Sequence, residues 1–578
     1  MKRSFFNIFY IAALAGMLTS CEKGFLDRAA TNQQQDKDIF SNYETTNQVI
    51  ANLYSRTPRV LRYVGGNSML ASATDESKDA STWMNSFRFN NGSWSGSDNP
   101  IGNSWRDCYV AIRQANSILE GIEKYGTPDD PNNPGFLQFR RGEVFFLRAF
   151  FLAELMKQFG GVIIVTKTVD INDLTILNGK RSTYDSCLAQ VIKDCDSAYN
   201  LLPAESWEPE HSGMIGRVKK GVALALKSRM TLYAASPLWA IAGKTGPKGD
   251  ISPQKTASDP EKWAAAAAAA KAVIEAKDRK GQIAYQLEPN LAARQAMFIS
   301  KTLTSREVIW MRMKDDNQDF DRYAFPFGSS GWSGASPSQN LAGDYEMQAT
   351  GLHPSAPGSG YNPAQPFVGR DPRFYTDILY NDATFKNRRL EYWSKTDTWP
   401  VGKDEMSTAT DHSRTGYSMR KLVDAGYTVN QGPNHDFHGI VYRLAEFYLN
   451  YAEAQNEVLA APDQSVYDAI NAVRVRAGVK PILVGTMTKE QMRDAVRHER
   501  RIELAFEGHR FWDVRRWKIA SETETALWGM KTTKNPDGSF TYEVVKVEDR
   551  PFAPRMYMIP ITQDETLRNP NLEQNPEW

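Results

Sequence analysis

The sequence has few cysteines and little net charge, and each of these features excludes a class of protein. Its 578 residues include four cysteines and carry a formal net charge of +1. No cysteine pair has the spacing of a zinc site. Cys187 and Cys195 are too far apart along one predicted helix for a disulfide. We therefore expect no disulfide framework and no metal site. Because no basic stripe is present, we also expect no nucleic-acid partner.

Long hydrophobic runs are missing beyond the first 20 residues. There, Lys2 and Arg3 precede an apolar run that is too short to span a bilayer and is typical of a secretory signal. Leu18-Thr19-Ser20-Cys21 then supplies the small residues and cysteine that a bacterial lipoprotein signal peptidase requires. We expect lipidation of Cys21, although a signal peptide with a coincidental cysteine is the alternative. Each buried acyl methylene contributes about 0.8 kcal/mol, so the chains would anchor the protein firmly.

Helical periodicity is abundant. Apolar residues recur at intervals close to 3.6 from Trp105 to Ile122, as on one face of a helix. Further helices are predicted over residues 141–159, 184–202, 217–236, 261–276, 441–459, 466–477 and 489–506. Their consecutive pairing, with alanine where neighbours would pack closely, predicts a tetratricopeptide-type scaffold, although no strict repeat is visible.

Between residues 279 and 439 the composition changes to glycine, proline, serine, asparagine and aromatic residues. Disordered segments are poor in aromatic residues, so we predict an ordered, loop-rich cap. The predicted fold is mainly α, with about four helical pairs as scaffold and the cap as a ligand-binding subdomain. The predicted divisions are a signal peptide (1–20), an N-terminal helical region (21–278), the cap (279–439) and a C-terminal helical region (440–578).

Three glutamates near the C-terminus, Glu499, Glu503 and Glu507, are spaced four residues apart and would share a helix face. Paired carboxylates can hydrolyse glycosides. However, four arginines occupy the same stretch: Arg500, Arg510, Arg515 and Arg516. Neighbouring cations lower a carboxyl pKa, which is the wrong direction for a general acid. We therefore predict a structural ion-pair network, and no nucleophile motif elsewhere suggests an enzyme.

Two histidines, His435 and His438, stand three residues apart in what reads as a loop, with Asp436 the only acid close by. This arrangement does not favour a metal site. No glycine-rich stretch is followed by the helix of a phosphate-binding loop, so no cofactor is expected.

Several motifs follow one another in an order typical of one family. They are Leu147-Arg148-Ala149-Phe150, Arg370-Asp371-Pro372-Arg373, Tyr442-Arg443, the run from Glu499 to Trp517, and Asn569-Pro570-Asn571. Together they resemble the SusD/RagB family of surface nutrient-binding lipoproteins of Bacteroidetes, over essentially the whole chain. The resemblance implies a tetratricopeptide-like scaffold, a variable ligand-binding cap, and a SusC-like TonB-dependent outer-membrane transporter on which the lipoprotein acts as a lid.

The resemblance also indicates where a ligand would bind. The loop from Asp75 to Trp94 matches a ligand loop of many family members, and it carries Trp83, Phe89 and Trp94 among polar residues. Trp332 is the candidate from the cap, whereas Trp105 is expected in the core. Sugars present flat C–H faces to aromatic rings and hydroxyls to polar side chains, so such loops suit a glycan. The alternative is that each aromatic residue only pins its loop.

The sequence therefore predicts a non-catalytic glycan-binding lipoprotein of the outer membrane that faces the exterior. It would deliver oligo- or polysaccharides to a SusC-like transporter. One alternative is a peptide-binding component of the same type of complex, as in RagB-like relatives. The others are a lipid-anchored glycoside hydrolase and a purely structural subunit.

Overall fold

The computed structural model describes residues 35–65, 67–102, 104–126, 135–170, 172–174, 178–206, 215–253, 258–300, 304–317, 319–429 and 436–578. The predicted signal peptide, Cys21 and His435 lie outside these ranges. Within them, no helix combines the length and apolar character needed to cross a membrane.

Helices dominate the fold. The longer ones are α1 (Tyr43–Ser55), α2 (Ser104–Tyr125), α3 (Phe136–Phe159), α4 (Tyr184–Leu201), α5 (Lys220–Ala235), α6 (Pro260–Ile274), α7 (Leu291–Ile299), α8 (Leu444–Val458), α9 (Gln464–Arg476), α10 (Lys489–Glu503) and α11 (His509–Arg516). Shorter α-helical turns are Asp36–Phe40, Ser86–Asn91, Ala242–Thr245, Asp319–Ala324, Gln339–Asp344, Pro372–Asp377, Ala520–Thr523 and Gln563–Arg568, and 3₁₀ turns are Leu70–Ala73, Phe327–Ser329 and Pro554–Tyr557. The predicted mainly helical class is confirmed.

Local capping explains why the helix ends fall close to their predicted positions. The Thr183 hydroxyl accepts from a first-turn N–H of α4, and Asp259 does the same for α6, whose first residue is a proline. Thr488 and Gln491 form a reciprocal capping box at the start of α10. Gly160 ends α3 with a φ of 84°, a conformation that favours glycine.

The helices pack as an ordered array. Each of α2 to α5 packs against the next helix in the chain, α6 packs against α8, and α8 packs against α9 and α10. Alanines of α6 allow the close approach on both sides, since Ala266, Ala267 and Ala270 are all buried. The chain thus leaves the array after α6 and re-enters it at α8, which makes the intervening cap an excursion from a continuous helical scaffold.

Short antiparallel strand pairs occur within the cap, at its two ends and near the C-terminus. Strand β1 (Val308–Asn317) pairs antiparallel with β2 (Asp436–Arg443), and β3 (Ala526–Lys534) forms a hairpin with β4 (Phe540–Asp549). Two-residue pairs join Ser77–Lys78 to Ser336–Pro337, Ile378–Leu379 to Ser418–Met419, and Thr384–Phe385 to Arg388–Arg389.

Residues 441–443 were predicted to start a helix, but they belong to β2. The C-terminal hairpin was not predicted either. Both depend on pairing between strands, which helical periodicity does not report.

The cap has an apolar core of its own. Phe320, Tyr323, Phe325, Tyr345 and Phe374 are fully buried in it. Side chains from outside the cap complete this cluster: Leu61, Met69, Met84, Ile502 and Met530. This burial explains how a segment with little regular structure is held in place against the scaffold.

Candidate functional site

A buried carboxylate, Asp79, joins the predicted ligand loop to the cap. Its Oδ1 accepts hydrogen bonds from the Tyr323 hydroxyl (2.5 Å) and the Ala335 backbone N–H (3.2 Å). Its Oδ2 accepts from the Ser86 hydroxyl (2.5 Å). Beside it, Ser77–Lys78 pairs with Ser336–Pro337. The two segments predicted to carry ligand-binding tryptophans are therefore fixed side by side.

A third loop, residues 405–415, is attached to the same place. The Arg414 guanidinium donates from Nε to the carbonyl oxygen of Ala80 (2.5 Å) and from Nη2 to that of Thr408 (3.1 Å). The Ser81 hydroxyl donates to Asp411 Oδ1 (3.4 Å). Three loops that are remote in sequence thus form one surface, which we call the loop face: residues 79–88, 327–332 and 405–415.

Trp83 is the most prominent side chain of the loop face, with 66% of its surface exposed. Its backbone is held on both sides, since Ser81 and Met84 are each buried to all but 5%. An exposed indole on an anchored turn loses little conformational freedom when it meets a flat ligand. This geometry fits the predicted contact of Trp83 with a ligand.

A second aromatic surface was missed by the sequence reading. Phe327, which is 41% exposed, stacks on the His412 ring with centroids 3.9 Å apart and an interplanar angle of 26°. The neighbouring Gly328 N–H donates to the buried Asp404 carboxylate (3.1 Å), which holds the turn. Phe327 directly precedes the glycine- and serine-rich stretch around Trp332, and that context was the available signal.

Three of the predicted contact residues lie below the surface. Trp94 packs between Phe89 and Trp578, at centroid distances of 5.0 and 4.6 Å, and Phe89 and Trp94 are each at most 6% exposed. Asp75 is buried in ion pairs with Arg501 and Arg510 (2.8 Å each). Direct ligand contact does not fit this burial, because at most 6% of the surface of each of the three residues is exposed.

The remaining predicted contact residue, Trp332, is intermediate in exposure. Trp332 is half-buried, and the Arg322 guanidinium lies 4.6 Å from its ring centre. The expected core residue Trp105 is buried, packing on Phe159 of α3. Of the predicted contacts, Trp83 and Trp332 therefore belong to the loop face.

The C-terminal glutamates form the predicted ion-pair network. Glu503, fully buried, contacts Arg476 (2.6 Å), Arg443 (2.8 Å), Arg294 (3.1 Å) and Arg373 (3.2 Å). Burial alone would raise the pKa of Glu503, but these arginines hold the pKa well below its usual range. A carboxyl that stays ionised cannot donate a proton, so it is unsuited to general-acid catalysis.

The other two glutamates are also committed to cations. Glu499 pairs with Arg373 and Arg474. Glu507 was predicted to share this helix face, but it does not. Helix α10 ends at Glu503, and the chain turns at Phe506, whose φ is 65°. Glu507 instead binds Lys421 and Arg443 at 2.6 Å each.

One buried carboxyl near the loop face lacks such compensation. Glu76 is 1% exposed, and no hydrogen bond reaches its Oε2. Burial raises the pKa of Glu76 to about 8, against the opposing effect of Arg501. At neutral pH, Glu76 is therefore largely protonated in the folded protein.

This shift predicts a pH-dependent effect of Glu76→Gln. A carboxyl whose pKa is higher in the folded than in the unfolded chain stabilises the fold at low pH, and that contribution is lost as pH rises from about 4.5 through about 8. The variant should melt close to the wild type at pH 5 and a few degrees above it at pH 9. Melting curves across this range test it, with the exposed Glu543→Gln as control; a difference independent of pH would contradict it.

Of the two histidines considered as a metal site, the structure describes His438. His438 lies on β2 rather than in a loop, and its Nδ1 accepts from the Lys314 N–H (3.2 Å). In the part of the chain that the structure describes, no group of three or more histidine, cysteine, aspartate or glutamate side chains could hold a metal ion.

Comparison with known proteins agrees with this architecture. Residues 306–578 match the model of the SusD family, and residues 24–232 match a model described as starch-binding associating with outer membrane. The chain belongs to the SusD family. Among curated relatives from Formosa agariphila, SusD-like protein P25 is 24% identical over 75% of this chain and 74% of its own length. SusD-like protein P2 is 26% identical over 43% of this chain, which spans about half (47%) of that relative.

Solved structures of the family share the fold. A SusD-like protein from Bacteroides fragilis superposes with a TM-score of 0.75 and 26% identity, covering 95% of this chain and all of that one. A SusD-like carbohydrate binding protein from the same species gives 0.74 at 24% identity over 93% of this chain and all of that one. A laminarin binding SusD-like protein gives 0.64 at 19% identity over the same shares. The predicted tetratricopeptide-like scaffold is thus confirmed.

Proposed function

We propose that this SusD-family protein binds oligo- or polysaccharides at the loop face and delivers them to a SusC-like TonB-dependent transporter, without chemically altering them. The observation that carries the proposal is Trp83, a largely exposed indole on an anchored turn. The stacked pair of Phe327 and His412 supplies a second flat surface on the same face. Aromatic rings of this kind bind the C–H faces of sugars while neighbouring polar groups bind the hydroxyls.

The environment of the carboxylates supports a non-catalytic role. A glycosidase requires one carboxylic acid with a raised pKa next to a second carboxylate in an accessible site. Glu503 is inaccessible and its pKa is lowered. Glu76, whose pKa is raised, is buried beneath the loops. Neither can meet a polysaccharide chain.

The cellular arrangement follows from the family and from the sequence. We propose that Cys21 carries the lipid anchor in the outer membrane and that the loop face is directed to the exterior. The family model that matches residues 24–232 is described as associating with the outer membrane, which supports this location. The division into helical regions and a cap at residues 278 and 439 stays a prediction.

Binding to immobilised glycans tests the proposal. Purified protein comprising residues 21–578 would be run in native gels that each contain one neutral or acidic polysaccharide. Its binding to peptide libraries would be measured in parallel. We expect retardation by at least one polysaccharide, no binding to the peptides, and no release of reducing ends from any polysaccharide.

Other outcomes would discriminate between the alternatives. Peptide binding without glycan binding would favour a RagB-like function. Sustained release of reducing ends would establish a hydrolase. Assembly with a SusC-like transporter without affinity for either ligand class would indicate a structural subunit.

A further inference from the structure

Two arginines, Arg414 in the loop face and Arg322 packed against its Trp332, differ from the arginines of the core. Arg294, Arg373 and Arg443 are each paired with one or more carboxylates. By contrast, no carboxylate of the described chain forms an ion pair with Arg414 or Arg322. The Arg414 guanidinium contacts carbonyl oxygens and the Phe87 ring, and the Arg322 guanidinium contacts the Trp332 ring.

Arg414 is held in place without being neutralised. The carbonyls of Ala80 and Thr408 fix Nε and Nη2, and the guanidinium lies 5.5 Å from the ring centre of Phe87. Glu548 is the carboxylate that influences it, but Glu548 already contacts Lys78 and Arg550. The positive charge of Arg414 is therefore pre-oriented, and its hydrogen bond to Ala80 attaches it to the segment that carries Trp83.

Arg322 repeats this arrangement on the other side of the face. Its guanidinium covers the Trp332 ring, and its buried Nε has no hydrogen-bond partner. Two carboxylates that contact the neighbouring segments are occupied: Asp79, which binds the Tyr323 hydroxyl, accepts three hydrogen bonds, and Asp404, which accepts from the Gly328 N–H, pairs with Arg388. A neutral glycan would leave both guanidinium charges partly desolvated and without a counter-charge, which is unfavourable.

We propose that the glycan bound at the loop face is acidic and that Arg414 binds one of its anionic groups, a carboxylate or a sulfate. This inference rests on the proposed function and names its ligand class. A guanidinium that is already oriented binds a planar or tetrahedral oxyanion through paired N–H donors, and such charge-assisted bonds are about twice as strong as neutral ones. The aromatic surfaces of Trp83 and Phe327 would bind the sugar rings between the charged groups.

Matched pairs of polysaccharides that differ in charge alone test the inference. Polygalacturonate would be compared with its methyl ester, and a sulfated galactan with its desulfated form, in affinity gels at low salt. We expect the acidic member of at least one pair to bind about tenfold or more tightly than its neutral partner, and salt to reduce the difference. The two pairs distinguish a carboxylate from a sulfate.

Variants show whether Arg414 is responsible for the preference. Arg414→Gln should abolish the preference for the acidic over the neutral polysaccharide, whereas Arg414→Lys should keep part of that preference. A loosened loop would instead weaken both members of a pair equally, and circular dichroism checks folding. Arg322→Gln provides a second variant that does not tether two loops. Lys271→Gln, on the exposed face of α6, removes the same charge from the scaffold and should leave the preference unchanged.

The inference is overturned if no acidic polysaccharide binds, if neutral partners bind equally well, or if both arginine variants keep the full preference. Binding of neutral polysaccharides alone would leave the proposed function standing and refute the acidic ligand. Binding of peptides alone would refute both.

Discussion

Replacing Trp83 by alanine is expected to weaken glycan binding roughly 30-fold, because a central aromatic anchor of a binding surface contributes about 2 kcal/mol or more. Trp83 is 66% exposed while its neighbours Ser81 and Met84 are buried. Its removal should therefore cost affinity without disturbing the fold. The measurement is retardation in affinity gels containing the best-retained polysaccharide, supported by calorimetry.

A matched control exists for this variant. Trp528 on β3 is also an exposed tryptophan, at 39%, but it lies on the C-terminal hairpin rather than the loop face. Trp528→Ala should bind glycan like the wild type. Phe327→Ala should weaken binding less than Trp83→Ala, since His412 would still present a ring. Equal binding by wild type and Trp83→Ala would show that the ligand site is elsewhere.

Replacing Glu503 by glutamine is expected to destabilise the protein by about 3–5 kcal/mol, the range for breaking a buried ion-pair network by removal of one partner. Glutamine preserves the shape but leaves four guanidinium groups around a neutral amide. The midpoint of denaturant unfolding should fall with little change in its slope.

The same variant separates a structural from a catalytic role. Glu503→Gln protein that remains folded should retain glycan binding, because Glu503 is fully buried while the loop face is formed by other residues. Glu275→Gln, which alters an exposed pair with Lys271 at the end of α6, should leave stability nearly unchanged. A Glu503→Gln protein as stable as the wild type would contradict the network.

The pH dependence of this effect also has a definite sign. Glu503 has a lowered pKa in the folded protein, so its contribution to stability is present above its ordinary pKa and is lost as pH falls. The difference between wild type and Glu503→Gln should therefore shrink in acid. The Glu76→Gln difference has the opposite sign, because that variant is the more stable protein at high pH, and it too disappears in acid, where the wild-type carboxyl is protonated in both states.

The helices and the ion pairs of the core could be predicted from local sequence patterns. Helical periodicity, capping residues and terminating glycines are local, so the limits of α4 and α9 could be predicted closely. The ion pairs of Glu499 and Glu503 could also be predicted, because several arginines stand in the same stretch of sequence. Family motifs then supplied the scaffold to which the helices belong.

Which aromatic residues are exposed could not be predicted, because exposure depends on contacts between segments that are distant in sequence. Trp83 and Trp94 stand in the same loop among similar polar residues. Trp94 is buried against Trp578 from the C-terminal end of the chain, whereas Trp83 is 66% exposed. The stack of Phe327 on His412 and the anchoring of Arg414 likewise join loops remote in sequence. Burial and charge neutralisation arise from contacts between distant segments, and no local pattern encodes them.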